Sequence, residues 1–149
     1  MSLLTQLNED IKTAMKAKDK ASLDVLRLLK ASVQNEQIAK GEDLNSDEEI
    51  AVLAREMKQR RDSLVEFENA GRDDLVETVK AGIVIVEKYL PKQLDETEVR
   101  QIVADAIDTT GASSVKEFGK VMGAVMPKVK GKADGNMVNA IVKELLQEK

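Results

Sequence analysis

Histidine and cysteine are both absent from this 149-residue chain, which leaves lysine, arginine, carboxylates, hydroxyls and one tyrosine to do any chemistry. The commonest general base near neutral pH, the strongest nucleophile and the usual zinc ligands are therefore missing. No catalytic residues, metal site or cofactor are expected. What the chain does concentrate is positive charge. From Lys116 to Lys132, five lysines (Lys116, Lys120, Lys128, Lys130 and Lys132) meet a single acid, Glu117, in a protein of formal net charge −4. A basic element on an acidic protein suits a polyanion backbone, which is held by charge and not read by base edges. The ordinary alternative is a solvated lysine surface.

Gly119 and Gly123 stand four apart in the same stretch, as do Met122 and Met126. A glycine inside a helix costs roughly 1 kcal/mol relative to alanine, so a pair implies a backbone that something must approach closely. The usual occupant of such a face is a neighbouring helix; the functional one is a nucleic-acid backbone. Gly131, in the turn that follows, is read with them as a glycine that lets a partner approach closely. The segment from Gly131 to Gly135 imitates a phosphate-binding helix start, but Asp134 is a good N-cap and its carboxylate would take the same amides. Nor is it a P-loop: Ala133 follows Lys132, and the first glycine of that pattern falls on Met126.

Other clusters have plainer readings. Asp43, Asn45 and Asp47 begin like a calcium loop, but Glu48 replaces the required glycine and Ala54 the final acid. Ser113 and Ser114 have no base beside them and read as helix caps. Lys58, Arg60 and Arg61 are surrounded by Glu56, Asp62 and Glu66, and a Glu56–Arg60 pair one turn apart accounts for the cluster.

The elements that would position these residues are helices throughout, because apolar residues recur at helical spacing and no alternating strand pattern appears. Leu4, Leu7, Ile11 and Met15 mark a first helix ending near Lys18. Leu23, Leu26, Leu29 (or Leu28), Val33 and Ile38 mark a second, closed by a left-handed Gly41. Ser46 with Glu49 predicts a capping box for a third helix, through Ile50, Leu53, Met57, Leu64 and Phe67 to Gly71. Asp74 opens a fourth helix, with Leu75, Val79, Val86 and Leu90, and Pro91 ends it. Asp95 with Glu98 caps a fifth, through Val99, Ile102, Val103 and Ile107 to Gly111. Ser114 with Glu117 caps a sixth, stopped or kinked at Pro127, and Asp134 opens a seventh along Met137, Val138, Ile141, Val142 and Leu145.

The predicted fold class is all-α: an N-terminal domain of long antiparallel helices over residues 1–90, a linker at 91–94, and a small C-terminal three-helix bundle over 95–149. Residues 1–90 carry 14 basic and 18 acidic side chains, and residues 91–149 carry nine of each. The basic element thus sits on a neutral domain. With two phenylalanines, one tyrosine and no tryptophan, the core must be aliphatic, and base stacking on aromatic platforms is unsuited to this chain. The longest apolar run, Ile83 to Val86, is too short to span a bilayer. Met1 to Leu4 lead straight into a helical pattern without a basic signal region, so a cytoplasmic protein is expected.

The ordered blocks LRLLKA (26–31), KQRRDS (58–63), AGRDDL (70–75), YLPKQL (89–94) and GKVMGAVMPKVKGKADG (119–135) resemble the YqeY-like family. That family is similar to the C-terminal tail of the B subunit of the bacterial glutamyl/aspartyl-tRNA amidotransferase, most closely over residues 95–149. The resemblance implies an all-helical protein and a link to tRNA, which the amidotransferase tail contacts while other modules do the chemistry. By motif position the contact would fall on Lys120, Lys128, Lys130 and Lys132, with Gly119, Gly123 and Gly131 shaping the surface. It also implies a family association with glutamine-dependent carbon–nitrogen ligase activity, and an amidotransferase or synthetase as protein partner. The glutaminase and the catalytic cradle have no counterpart here, so any enzymatic part would be that of an accessory. Residues 80–86 depart from the family by being more apolar and less acidic. A plain helical protein-interaction domain with no RNA role is the alternative reading.

Overall fold

A computed structural model describes residues 2–148. Among them there are seven α-helices and no strand: α1 (Leu3–Lys16), α2 (Lys20–Lys40), α3 (Ser46–Asn69), α4 (Asp73–Glu87), α5 (Glu96–Thr110), α6 (Phe118–Val129) and α7 (Gly135–Gln147). A 3-10 turn, Val115–Glu117, precedes α6. The chain divides into two compact units between Pro91 and Lys92.

In the first unit α1 packs on α2, and α2, α3 and α4 pack on one another. Their apolar stripes meet in one core of Leu3, Leu7, Ala14, Leu26, Leu29, Val33, Val52, Leu53, Met57, Val86 and Leu90. Leu64, Phe67, Leu75 and Val79 are only half-buried and lie outside it, and Met15 and Ile38, each near the end of its helix, are exposed. Val76 is buried on α4 where the pattern predicts Leu75, a rotation of one residue. Glu56 and Arg60 form the expected pair, 2.9 Å apart and largely enclosed, and the Ser32 hydroxyl donates to the same carboxylate at 2.6 Å.

The start of α3 lies one residue earlier than the sequence pattern predicts. Asn45, not Ser46, is the N-cap: its side chain accepts the Glu48 N–H, and the Glu48 carboxylate accepts the Asn45 N–H. Lys40 also donates to Glu48, and these bonds hold its carboxyl below the ordinary glutamate value. Glu49 is thereby released for a longer-range task, accepting the N–H of Leu3 at 2.8 Å and fixing the start of α1. Helix α4 begins at Asp73, where Arg72 caps without a side-chain bond and instead pairs with Asp74.

In the second unit α5, α6 and α7 each pack on the other two. The core is aliphatic: Val99, Val103, Ala106, Ile107, Ala112, Val121, Val125, Val129, Val138, Ile141, Val142 and Leu146. Asp95 and Glu98 form the expected capping box, and Gly111 closes α5 in the left-handed region. Asp134 caps α7, accepting the Asn136 N–H at 3.0 Å. Ser114 does not cap α6; its side chain makes no such bond, and the Glu117 carboxylate accepts the Ser113 N–H instead. Pro127 does not stop the helix, because it lies in the last turn, where one missing N–H is outweighed by burial of Val125 and Val129. Among the described residues no helix is long and apolar enough to cross a membrane.

Asn45→Ala should destabilise the first unit by about 1 kcal/mol, whereas Ser46→Ala should change little. Urea denaturation of the two variants checks the cap assignment.

Candidate nucleic-acid interface

The lysine element is built outward from a valine stripe. Val121, Val125 and Val129 follow one another at helical intervals of four and are buried, so the rotational setting of α6 is fixed. The opposite face must then point away from the core. It carries Gly119, Lys120, Gly123, Pro127 and, at the helix end, Lys130, all exposed.

Among the described residues the two helix glycines have no packing partner. A Cβ added at Gly119 or Gly123 would meet nothing within 4 Å. The neighbouring helix that ordinarily explains such a pair is not there, since α5 and α7 both pack on the valine side. Pro127 extends this bare strip by another turn, and its ring removes the N–H that would have bonded the Gly123 carbonyl. Gly82, by contrast, does face neighbours, with Arg60 and Val25 each 3.6 Å from the position of an added Cβ.

Lys116 lies on the 3-10 turn and not on α6, so it does not share an α-helical face with Lys120 as the spacing predicts. The cause is the bond from the Ser113 N–H to Glu117, which tightens the chain before the helix starts. Lys116, Lys120, Lys128 and Lys130 are exposed and Lys132 is half-buried. Among the described residues none of the five forms an ion pair. Several acids of this unit are engaged elsewhere: Glu96 and Glu144 hold Arg100, Glu98 serves the Asp95 cap, and Asp134 serves the α7 cap. Lys143 is stacked over the Phe118 ring, 5.7 Å from its centre, and steadies the start of α6.

The turn carrying Lys130 and Lys132 is fastened from behind. Gly131 adopts φ +74°, a left-handed conformation that explains its residue type without invoking a close partner. Its carbonyl accepts the Gln93 side-chain amide at 2.9 Å, and the Lys132 carbonyl accepts the Leu94 N–H at 2.8 Å. This clamp is not legible in the sequence, because its two halves are 38 residues apart. Among the described residues, those of the calcium-like loop at Asp43 included, no group of three or more acidic side chains is placed to hold a metal ion.

What this arrangement offers is a helix face with two glycines exposed on it, together with exposed lysines that form no ion pair among the described residues. The chain belongs to the YqeY-like family: the family model described as Yqey-like protein matches residues 4–146.

Among its relatives, the protein named "Altered inheritance of mitochondria protein 41, mitochondrial" from Pyrenophora tritici-repentis is 28% identical, covering 99% of this chain and 82% of that one. Its namesake from Kluyveromyces lactis is 32% identical over 83% of this chain and 71% of its own length. The B subunit of the aspartyl/glutamyl-tRNA(Asn/Gln) amidotransferase of Ehrlichia canis is 32% identical over 68% of this chain, but the match spans only 24% of that protein.

Because nothing among the described residues fills the space at the two glycines, Gly119→Ala and Gly123→Ala should each stabilise the second unit by roughly 0.5–1 kcal/mol. Loss of stability in a urea titration would mean that a neighbour occupies that face.

Proposed function

We propose that the protein is a tRNA-associated binding module that recognises RNA backbone through the α6 face and the turn after it. The observation that carries this reading is the empty space before Gly119 and Gly123, edged by lysines without acidic partners. Lys116, Lys120, Lys128, Lys130 and Lys132 neutralise phosphates, and the glycines let the strand approach the helix backbone. Recognition is by shape and charge, since the second unit has no aromatic side chain except Phe118, already covered by Lys143.

We read the architecture as a domain of long antiparallel helices over residues 1–90, a linker at 91–94 and a three-helix bundle over 95–149 that resembles the amidotransferase tail. On this reading the protein works beside glutamine-dependent tRNA amidotransfer, as an accessory and not as the catalyst. The similarity to an amidotransferase B subunit supports that context. On the same reading the protein is cytoplasmic, whereas seven of its relatives carry "mitochondrial" in their names.

Unfractionated tRNA titrated at several salt concentrations tests the reading. If four lysines each displace a counterion, the logarithm of affinity should fall with log salt at a slope of about −3 to −4. Lys120/Lys128/Lys130/Lys132→Ala should remove most of that slope. Gly123→Leu should weaken binding severalfold while the helix remains folded by circular dichroism. No binding at low salt, or a flat salt response, sinks the proposal.

A further inference from the structure

The ends of α1 and α3 are built alike, and they differ at one residue. After α3, the Arg72 N–H bonds the Phe67 carbonyl, the Gly71 N–H bonds the Glu68 carbonyl, and Gly71 takes φ +69°. After α1, the Asp19 N–H bonds the Ala14 carbonyl and the Lys18 N–H bonds the Met15 carbonyl, the same pattern with lysine in the left-handed position. Lys18, at φ +57°, is the one non-glycine with positive φ among the described residues; the other four such positions are Gly41, Gly71, Gly111 and Gly131. A Cβ in that conformation is strained, and glycine is the residue such turns prefer. The chain forgoes glycine at this turn alone.

The charge around Lys18 is also set against local preference. Lys20 is the first residue of α2, at the positive end of the helix dipole, where a cation is unfavourable. Lys16, in the last turn of α1, is conventionally placed, and Lys12 lies one turn before it. Lys88, at the end of α4, lines the same surface cavity as Asp10, Asp19 and Tyr89, a hollow of about 290 Å³. All five lysines are exposed and, among the described residues, none is ion-paired.

Two of the acids beside this turn, which is flanked in sequence by Glu9 and Asp24 as well, are held by neutral donors. Asp10 accepts the Tyr89 hydroxyl, and Asp19 accepts both the N–H and the hydroxyl of Ser22. Lys88 attracts Asp19 only at a distance. Glu9 and Glu87 lie on the same helices, and Glu9 contributes only its carbonyl, to Thr13. From residue 11 to residue 22 four lysines face the single acid Asp19.

We infer that the α1–α2 turn is a second phosphate-contacting element for RNA, formed by Lys12, Lys16, Lys18 and Lys20 with Lys88 at its edge. The inference rests on the RNA-binding reading above and extends it to the first unit. RNA is favoured over an anionic small molecule in the hollow, because Asp10 and Asp19 line its wall and, of the five lysines, only Lys88 does. Two weak lysine elements on one chain reinforce each other, since the second binds at the effective concentration set by the first.

Full-length protein and unfractionated tRNA, titrated between about 50 and 200 mM salt, provide the test. Lys12→Gln/Lys16→Gln/Lys18→Gly/Lys20→Gln should lower the steepness of the salt dependence by about 3, beyond what the α6 lysines account for. Arg55→Gln/Lys58→Gln/Arg72→Gln, which removes cations already paired with acids, should leave it nearly unchanged. Lys18→Gly alone should melt at higher temperature than the parent yet bind RNA less tightly, because it relieves strain and removes one contact. If the α1–α2 variant keeps the parent's affinity and salt dependence while the α6 variant loses them, the inference is overturned and the RNA-binding reading stands. If the parent itself binds no tRNA at low salt, both fall.

Discussion

The second unit depends on how α6 is turned about its axis. Val121, Val125 and Val129 are each essentially fully buried, and burying one valine contributes about 1.5 kcal/mol or more. Three of them outweigh the roughly 1 kcal/mol forfeited at each of Gly119 and Gly123 by placing glycine in a helix. The helix therefore holds despite its glycines and despite Pro127. A core without large rings leaves little freedom here, since branched aliphatic side chains interlock in few arrangements. Everything exposed on α6 is exposed because the valines are not.

The elements were largely legible in the sequence, because periodicity and capping chemistry act over a few residues. The Asp95–Glu98 box, the Asp134 cap and the left-handed glycines at 41 and 111 depend on local geometry and appear as expected. Shifts arose where two adjacent residues were both suitable: Asn45 and Ser46 are comparable caps, and the Glu48 box with Asn45, which leaves Glu49 to accept the Leu3 N–H, marks the one used. Ser114 lost its capping role because the preceding loop tightened into a 3-10 turn, which spacing alone does not reveal.

The site was legible in composition but not in arrangement. Two glycines four apart look the same whether a helix or an outside molecule fills the space, and only the positions of α5 and α7 distinguish the cases. Gly131 shows the reverse: it suggested close approach, but its backbone conformation is reason enough for it. Whether the lysines were neutralised also depended on tertiary structure. Acids that would balance them in number are drawn to Arg100 and to helix caps, so an electrically neutral unit still presents a positive face.

The bonds from Gln93 and Leu94 to the backbone at Gly131 and Lys132 make the opening residues of the second unit a mechanical anchor. A pull on the chain at Lys92 would load these two bonds together with the packing of Leu94 against the hydrophobic core. Tension in the segment just after Pro91 therefore reaches the backbone of the turn that carries Lys130 and Lys132. The amide of Leu94 is a built-in gauge of that tension, since its exchange with solvent requires the lysine turn to let go.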